Sequence, residues 1–186
     1  MRYVLASLVL VCVACGSDST GGGPTISTLQ NDNFTSGGAA PTFIAAFDSG
    51  EAAAVRLGPQ GGAFTIRKVI FLFGGAVTGE TVRLTIYNDP NTANPGTVLH
   101  DSTYAITPSD AAFQQIDLTA KNIHVAASQM IRVALAFNHV GLPSVAKDAA
   151  ITNTRNLVNL SPGGWTAAET VAIDGDFIIR LEISTP

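Results

Sequence analysis

Three histidines, a few loop acids and one tryptophan are the residues of this chain whose chemistry could serve a function. The histidines His100, His124 and His139 are far apart, and none has a second His or a Cys at metal-ligand or catalytic spacing. We therefore assign them to solvent-facing strand and loop positions. The chain also lacks a Gly-x-Ser-x-Gly motif and a phosphate-binding glycine motif. The sequence gives no reason to propose a catalytic residue.

Acidic loop side chains are candidates for a structural calcium site, because β-sandwich domains bind this ion through loop carboxylates and carbonyls. Asp174 and Asp176 precede an alternating strand and are the stronger pair, ahead of the loop Asn88, Asp89 and Asn91. Neither loop has the dense acidic pattern of a dedicated calcium loop, and these residue types also form ordinary turns. Calcium at Asp174 and Asp176 is thus a hypothesis beside the turn interpretation, and we predict no other cofactor.

Exposed aromatic side chains next to polar groups are typical of glycan sites. Trp165, which follows two glycines, is the first candidate. Tyr87, on the polar side of its strand and next to Asn88 and Asp89, is the second. The alternative for Trp165 is a plug at one end of the core. We predict a ligand-binding surface that includes Trp165, Tyr87, Asn88 and Asp89.

The segments that must position these residues have the pattern of short strands divided by turns. Residues 82–87 alternate apolar and polar, as in a strand with one buried face. Residues 64–67 begin with the same alternation, whereas residues 69–73 are continuously apolar and predict burial on both faces. A glycine-rich reversal between the two runs predicts an antiparallel pair. Asn94–Pro95–Gly96–Thr97 fits a type II turn with positive φ at Gly96, whereas Gly163–Trp165 predicts a turn. We expect further strands at 26–34, 42–47, 51–57, 98–106, 113–118, 122–125, 130–137, 144–151, 155–160 and 177–183.

Composition sets the fold class and excludes some partners. Apolar residues make up 46% and charged residues 13%, with 18 Gly and 9 Pro, which favours an all-β domain with short turns. We predict one antiparallel two-sheet sandwich, jelly-roll-like, over residues 25–186. The net charge of −4 without a basic cluster argues against a nucleic-acid partner. Both cysteines fall in the first fifteen residues, so the domain has no internal disulfide.

The first 24 residues predict export. Arg2 precedes an uncharged run from Tyr3 to Ala14, which has the length of a signal-peptide core and is too short to span a bilayer. Val13 and Ala14 lead into Cys15 and then into a Gly- and Ser-rich stretch, and this arrangement resembles the bacterial lipoprotein signal.

The resemblance implies a signal peptide at 1–14, a lipidated Cys15 that anchors the protein to a membrane, and a flexible tether at 15–24. Gly16 after the cysteine implies the outer rather than the inner membrane. Cys12 stands where the family usually has Leu. An ordinary secretory leader with an incidental cysteine is the alternative.

The order of the later segments carries a second resemblance, over most of residues 30–184. It rests on FTIRKVIFLF, VRLTIYNDPNTANPGTVL, FQQIDL, MIRVALAF and GDFIIRLEI. The chain resembles accessory β-sandwich domains of secreted and surface bacterial proteins, which are similar to carbohydrate-binding-module jelly rolls. This implies an adhesive, anchoring or glycan-binding role.

Together the two resemblances predict a non-enzymatic, lipid-anchored cell-envelope protein that binds or structures surface material such as polysaccharide. Two alternatives stay open. One is a structural or protein-interaction lipoprotein with an envelope protein as partner. The other is a hydrolase whose site is not visible in the sequence.

Overall fold

The computed structural model describes residues 23–90, 93–152, 154–161 and 163–186. This part of the chain forms fourteen strands and two short 3₁₀ helices, at Thr119–Lys121 and Ala168–Val171. None of its helices has the length and apolar character needed to cross a membrane. The strands are β1 Thr25–Leu29, β2 Thr42–Phe43, β3 Ala52–Leu57, β4 Phe64–Phe71, β5 Phe73–Gly74, β6 Glu80–Asn88, β7 Val98–Ile106, β8 Gln114–Asp117, β9 Ile123–Val125, β10 Ile131–Phe137, β11 Ser144–Lys147, β12 Asn156–Leu160, β13 Gly164–Ala167 and β14 Ile179–Thr185.

The strands form two larger sheets and one small one, and every named strand pair is antiparallel. The six-stranded sheet has the order β13-β12-β3-β10-β6-β7. The five-stranded sheet has the order β1-β14-β4-β8, and β9 also pairs with β4. The small sheet has the order β2-β11-β5. The predicted all-β antiparallel sandwich is confirmed, whereas its jelly-roll strand order stays a prediction.

One hydrophobic core lies between the inner faces of the two larger sheets. Alternation in β6 buries Val82, Leu84 and Ile86, as predicted, while Arg83 stays exposed. Aromatic contacts run through this core, since the ring centroids of Phe73 and Phe137 are 6.1 Å apart in a stacked arrangement. Burial of such side chains removes apolar surface from water and is the main favourable term in folding.

The predicted pairing of residues 64–73 with residues 82–87 is wrong. β4 lies in the five-stranded sheet and β6 in the six-stranded sheet. The intervening β5 pairs with β11 instead, and Gly75 then turns the chain with a φ of 87°. The apolar run is buried on both sides, as expected, because Leu72 packs in a second small cluster with Ala146 and Ile178. The glycines here mark a crossing between layers rather than a hairpin.

The predicted type II turn at residues 94–97 is also wrong. The φ of Gly96 is outside the left-handed region that this turn requires at its third position. Glycine is needed here for a close approach: the Gly96 amide donates to the Asn88 carbonyl at 2.7 Å, and a Cβ on Gly96 would lie 2.8 Å from that oxygen. The turn is therefore closed by backbone bonding to Asn88.

One predicted strand and one predicted turn have the wrong bounds. The first strand ends at Leu29 rather than near Phe34, because the buried carboxylate of Asp32 accepts a hydrogen bond from the Phe34 amide and pairs with Arg180. Residues 163–165 are predicted as a turn, but Trp165 lies inside β13. Gly164, with a φ of 75°, begins that strand opposite Leu160.

The sandwich has two distinct ends. Thr25 pairs with Thr185 at the end where β4 begins, and loop 58–63 joins β3 to β4 there. At the opposite end β6 begins at Glu80 and β10 ends at Phe137. We call this second end, away from Thr25, the distal end.

Candidate functional site

The outer face of the six-stranded sheet brings together most of the candidate side chains. The register places one residue from each of the six strands in a row that runs from Trp165 through Ala52 to Thr103. We define the outer face by the side chains that alternate with the core side chains: Ala52, Ala54, Arg56, Arg83, Thr85, Tyr87, Asp101, Thr103, Arg132, Ala134, Ala136, Leu157, Asn159, Trp165 and Ala167.

Small side chains occupy the centre of the outer face, and the Trp165 ring packs across them. Ala54, Ala134 and Leu157 form a buried apolar cluster against which Tyr87 and Trp165 pack. The two aromatic rings meet edge to face, with their centroids 6.5 Å apart. Trp165 is half-buried and lies outside the main core between the sheets. It is therefore part of a surface rather than a plug of that core.

A buried charge network supports Trp165 from below. The guanidinium carbon of Arg132 lies 4.8 Å from the centre of the Trp165 ring, within cation–π range. Arg132 Nη2 donates to Asp89 Oδ1 at 2.7 Å, and Arg56 Nε donates to Asp89 Oδ2. Burial lowers the pKa of Arg132, and the hydrogen bond with Asp89 opposes that change. The Asp89 carboxylate fixes the cation that holds the indole ring.

This geometry gives Asn88 and Asp89 supporting positions. The Asp89 side chain has no exposed surface, so its carboxylate serves the two arginines rather than the solvent side. The Asn88 amide donates to the Thr97 carbonyl at 2.9 Å, and the Asn88 carbonyl accepts from Gly96. Both residues thus shape the turn at the end of β6, next to Tyr87.

The β6–β7 side of the outer face carries an exposed ion pair. Arg83 donates to both carboxylate oxygens of Asp101, at 2.7 and 2.5 Å, and Thr85 Oγ1 donates to Asp101 at 3.2 Å. These hydrogen bonds lower the pKa of Asp101 and raise the pKa of Arg83. The two opposite charges cancel, while their remaining donor and acceptor positions stay accessible to solvent.

A cleft opens next to this ion pair at the distal end. It has a volume of about 290 Å³ and is lined by Thr81, Arg83, Thr103, Ala136 and Asn138, among others. A wider depression of about 570 Å³ continues from it and shares Thr81 and Asn138. The arrangement offers hydroxyl, amide and guanidinium groups over a floor that includes an alanine.

The two acids proposed for calcium lie elsewhere and have different partners. Asp176 is buried and accepts hydrogen bonds from the Thr152 amide at 2.9 Å, from Thr152 Oγ1 at 2.8 Å and from Asn156 Nδ2. Asp174 is exposed and pairs with Lys147, whose hydrogen bond lowers the pKa of Asp174.

Calcium at Asp174 and Asp176 stays a prediction. Within the ranges that the structure describes, no group of three or more His, Cys, Asp or Glu side chains could hold a metal ion. An ion bound there would have to compete with Lys147 and with the three donors to Asp176.

The histidines have separate partners. His100 lies 3.0 Å from the Tyr104 hydroxyl, His124 lies 2.9 Å from Thr65 Oγ1, and His139 Nε2 lies 2.6 Å from the Pro143 carbonyl. Burial lowers the pKa of His100. His124 is exposed, whereas the other two are half-buried rather than facing solvent as predicted.

Sequence reasoning found Tyr87 and Trp165 but missed Arg83, Arg132 and Asp101. Strand alternation could have identified Arg83 and Arg132. Arg83 lies on the same side of β6 as Tyr87, and Arg132 is the polar residue on the outward side of β10. Cys15 and the leader lie outside the described residues. The chain matches no family model, no curated protein and no solved structure.

Proposed function

We propose that this protein is a non-catalytic, lipid-anchored cell-envelope protein that binds polysaccharide on the outer face of its six-stranded sheet. One observation carries the proposal. Half-exposed Trp165 and Tyr87 share a face with a cleft of hydroxyl, amide and guanidinium groups. Sugar sites need this combination, because the sugar ring presents apolar C–H patches and a rim of hydroxyl groups.

The charge of the cleft favours a neutral ligand. Its lining contains Arg83, and the bidentate bond to Asp101 already compensates that cation. Recruiting an anionic polymer would therefore require breaking or sharing that pair. Neutral hydroxyl groups can instead use the donor and acceptor positions that remain on Arg83, Thr103, Thr81 and Asn138, the last two of which also hydrogen-bond to each other.

The position of the cleft suits an anchored protein. A lipid on Cys15 and a tether up to residue 24 would lead into Thr25, which lies at the end of the sandwich opposite the cleft. The cleft would then point away from the membrane and toward extracellular or periplasmic polymer. The jelly-roll-like resemblance to carbohydrate-binding modules supports the same proposal.

Trp165 is the only tryptophan of the chain, so its fluorescence reports directly on the proposed site. We expect its emission to change saturably when the chain from Pro24 onward is titrated with a neutral polysaccharide from a panel. The melting temperature should rise in parallel, because a ligand selective for the folded state stabilises it. Arg83→Ala should weaken the response, whereas Lys121→Ala, on an exposed 3₁₀ helix next to β4, should not.

Flat emission and an unchanged melting temperature across the whole panel would contradict glycan binding. That result would favour the structural or protein-interaction alternative. Turnover of a polysaccharide by the purified chain would instead favour the hydrolase alternative.

The anchor is tested separately by incorporation of labelled fatty acid into the full chain. We expect Cys15→Ser to abolish labelling, because the thiol is the attachment atom in the proposed anchor. Cys12→Leu is the matched control and should keep the label, since it brings the segment closer to the usual lipoprotein signal. Labelling that persists in Cys15→Ser would rule out the anchor at this residue.

A further inference from the structure

β7 forms a long free edge of the six-stranded sheet. It runs over nine residues and, among the described strands, pairs with β6 alone. The strand at the other edge, β13, has four residues and leads into a 3₁₀ helix. Exposed edges of this kind pair with other strands unless proline, lysine, a bulge or a covering segment protects them. Residues 98–106 contain no Pro or Lys, and the one acidic side chain among them, Asp101, is paired with Arg83 of β6.

Only the first part of β7 is distorted. The register shifts between Ile86 and Tyr87 of β6, opposite Val98 and His100 of β7. From His100 to Ile106 the register is regular. This stretch keeps the unpaired backbone donors and acceptors of an edge strand on its outward side.

The regular stretch is self-complementary when two copies run antiparallel. With a two-fold axis at Ser102, each Ser102 lies opposite its counterpart, Asp101 lies opposite Thr103, and His100 lies opposite Tyr104. Alternation keeps each opposed pair on one face of the sheet. No like charges are directly opposed, and the charge of Asp101 is already compensated by Arg83.

We propose that two copies of this chain pair through β7, antiparallel, with the two-fold axis at Ser102. The two six-stranded sheets then become one continuous sheet. The axis is perpendicular to that sheet, so both outer faces lie on the same side, with Arg83 and Thr103 of each copy near the axis. The pairing does not depend on the proposed polysaccharide function, although a polymer spanning both clefts would gain avidity from it.

A cysteine at the axis tests the pairing. Directly opposed residues in an antiparallel pair have Cα atoms about 4.5–5.5 Å apart, which lies within the range of a disulfide. We expect Ser102→Cys in the full chain to give a covalent dimer as its main product under mild oxidation. Val77→Cys is the control, because that loop residue is 95% exposed and reports random collision.

The register has its own test. Chains carrying Asp101→Cys and chains carrying Thr103→Cys should cross-link to each other when mixed, and more than either variant cross-links to itself. All variants carry Cys12→Ser and Cys15→Ser, so that the introduced cysteine is the only thiol, and the chain with these two changes alone should give no such product. Unchanged Trp165 emission would establish that each variant is folded, and no polysaccharide is needed for the assay.

Several outcomes would overturn the inference. Ser102→Cys could give no more dimer than Val77→Cys, which would show that β7 edges do not meet. It could give a product whose mass differs from that of two chains, which would assign the edge to another protein. Equal cross-linking in all combinations of Asp101→Cys and Thr103→Cys would exclude the register centred on Ser102.

Discussion

Replacing Asp89 by alanine is expected to lower the free energy of unfolding by about 3–5 kcal/mol. The substitution removes the carboxylate that pairs with both Arg132 and Arg56, and Arg132 has no exposed side-chain surface. The remaining buried cation would lose its counter-charge, and removing one partner of a buried pair costs far more than the pair gains over an apolar replacement. Urea unfolding followed by the emission of Trp165 measures the loss directly, because Arg132 contacts that ring.

Asp101→Ala is the matched control on the same sheet face. Asp101 also bonds to an arginine, but the Arg83 side chain is 63% exposed and solvent screens the pair. We expect this control to change stability little. If Asp89→Ala lowers the free energy of unfolding no more than Asp101→Ala does, Arg132 must find another partner or move to solvent in that variant. This result would contradict the supporting role of Asp89.

Alternation along each strand made the faces predictable but not the partners. Val82, Leu84 and Ile86 face the core as the pattern indicates, because apolar and polar residues alternate along a strand that has one side in the core and one side in solvent. The same pattern holds for any neighbour in the sheet, so it could not show that β6 pairs with β7 and β10 rather than with β4. Gly74 and Gly75 misled the prediction because glycine permits both a hairpin turn and a crossing between layers.

The candidate site shows the same limit at longer range. Tyr87 and Trp165 could be selected individually, by strand parity and by the preceding glycines. The contact between their rings depends on the strand order β13-β12-β3-β10-β6, which no local sequence pattern encodes. Asp89 has the sequence context of a turn former, and only the fold shows that two arginines from other strands bury it.

Replacing Trp165 by alanine is expected to weaken polysaccharide binding by roughly 30-fold. Truncating a central aromatic contact typically costs about 2 kcal/mol or more, which corresponds to that ratio in Kd. Trp165 lies at one end of the row that leads to the cleft, and its ring packs edge to face against Tyr87. Because the variant lacks the fluorophore, binding is measured by calorimetry with the polysaccharide that gives the strongest response in the panel.

Phe113→Ala provides a closely matched control for this prediction. The guanidinium of Arg180 lies 4.8 Å from the Phe113 ring, the same distance as that between Arg132 and Trp165, but on a different part of the surface. Both variants lose a half-buried aromatic ring stacked on an arginine, so general effects of such a loss on the fold are shared. Affinity reduced in Trp165→Ala and retained in Phe113→Ala would assign the binding to the outer face. Equal polysaccharide affinities in Trp165→Ala and Phe113→Ala would show that the ligand binds elsewhere, because an indole ring that is a central contact cannot be removed without a specific loss of affinity.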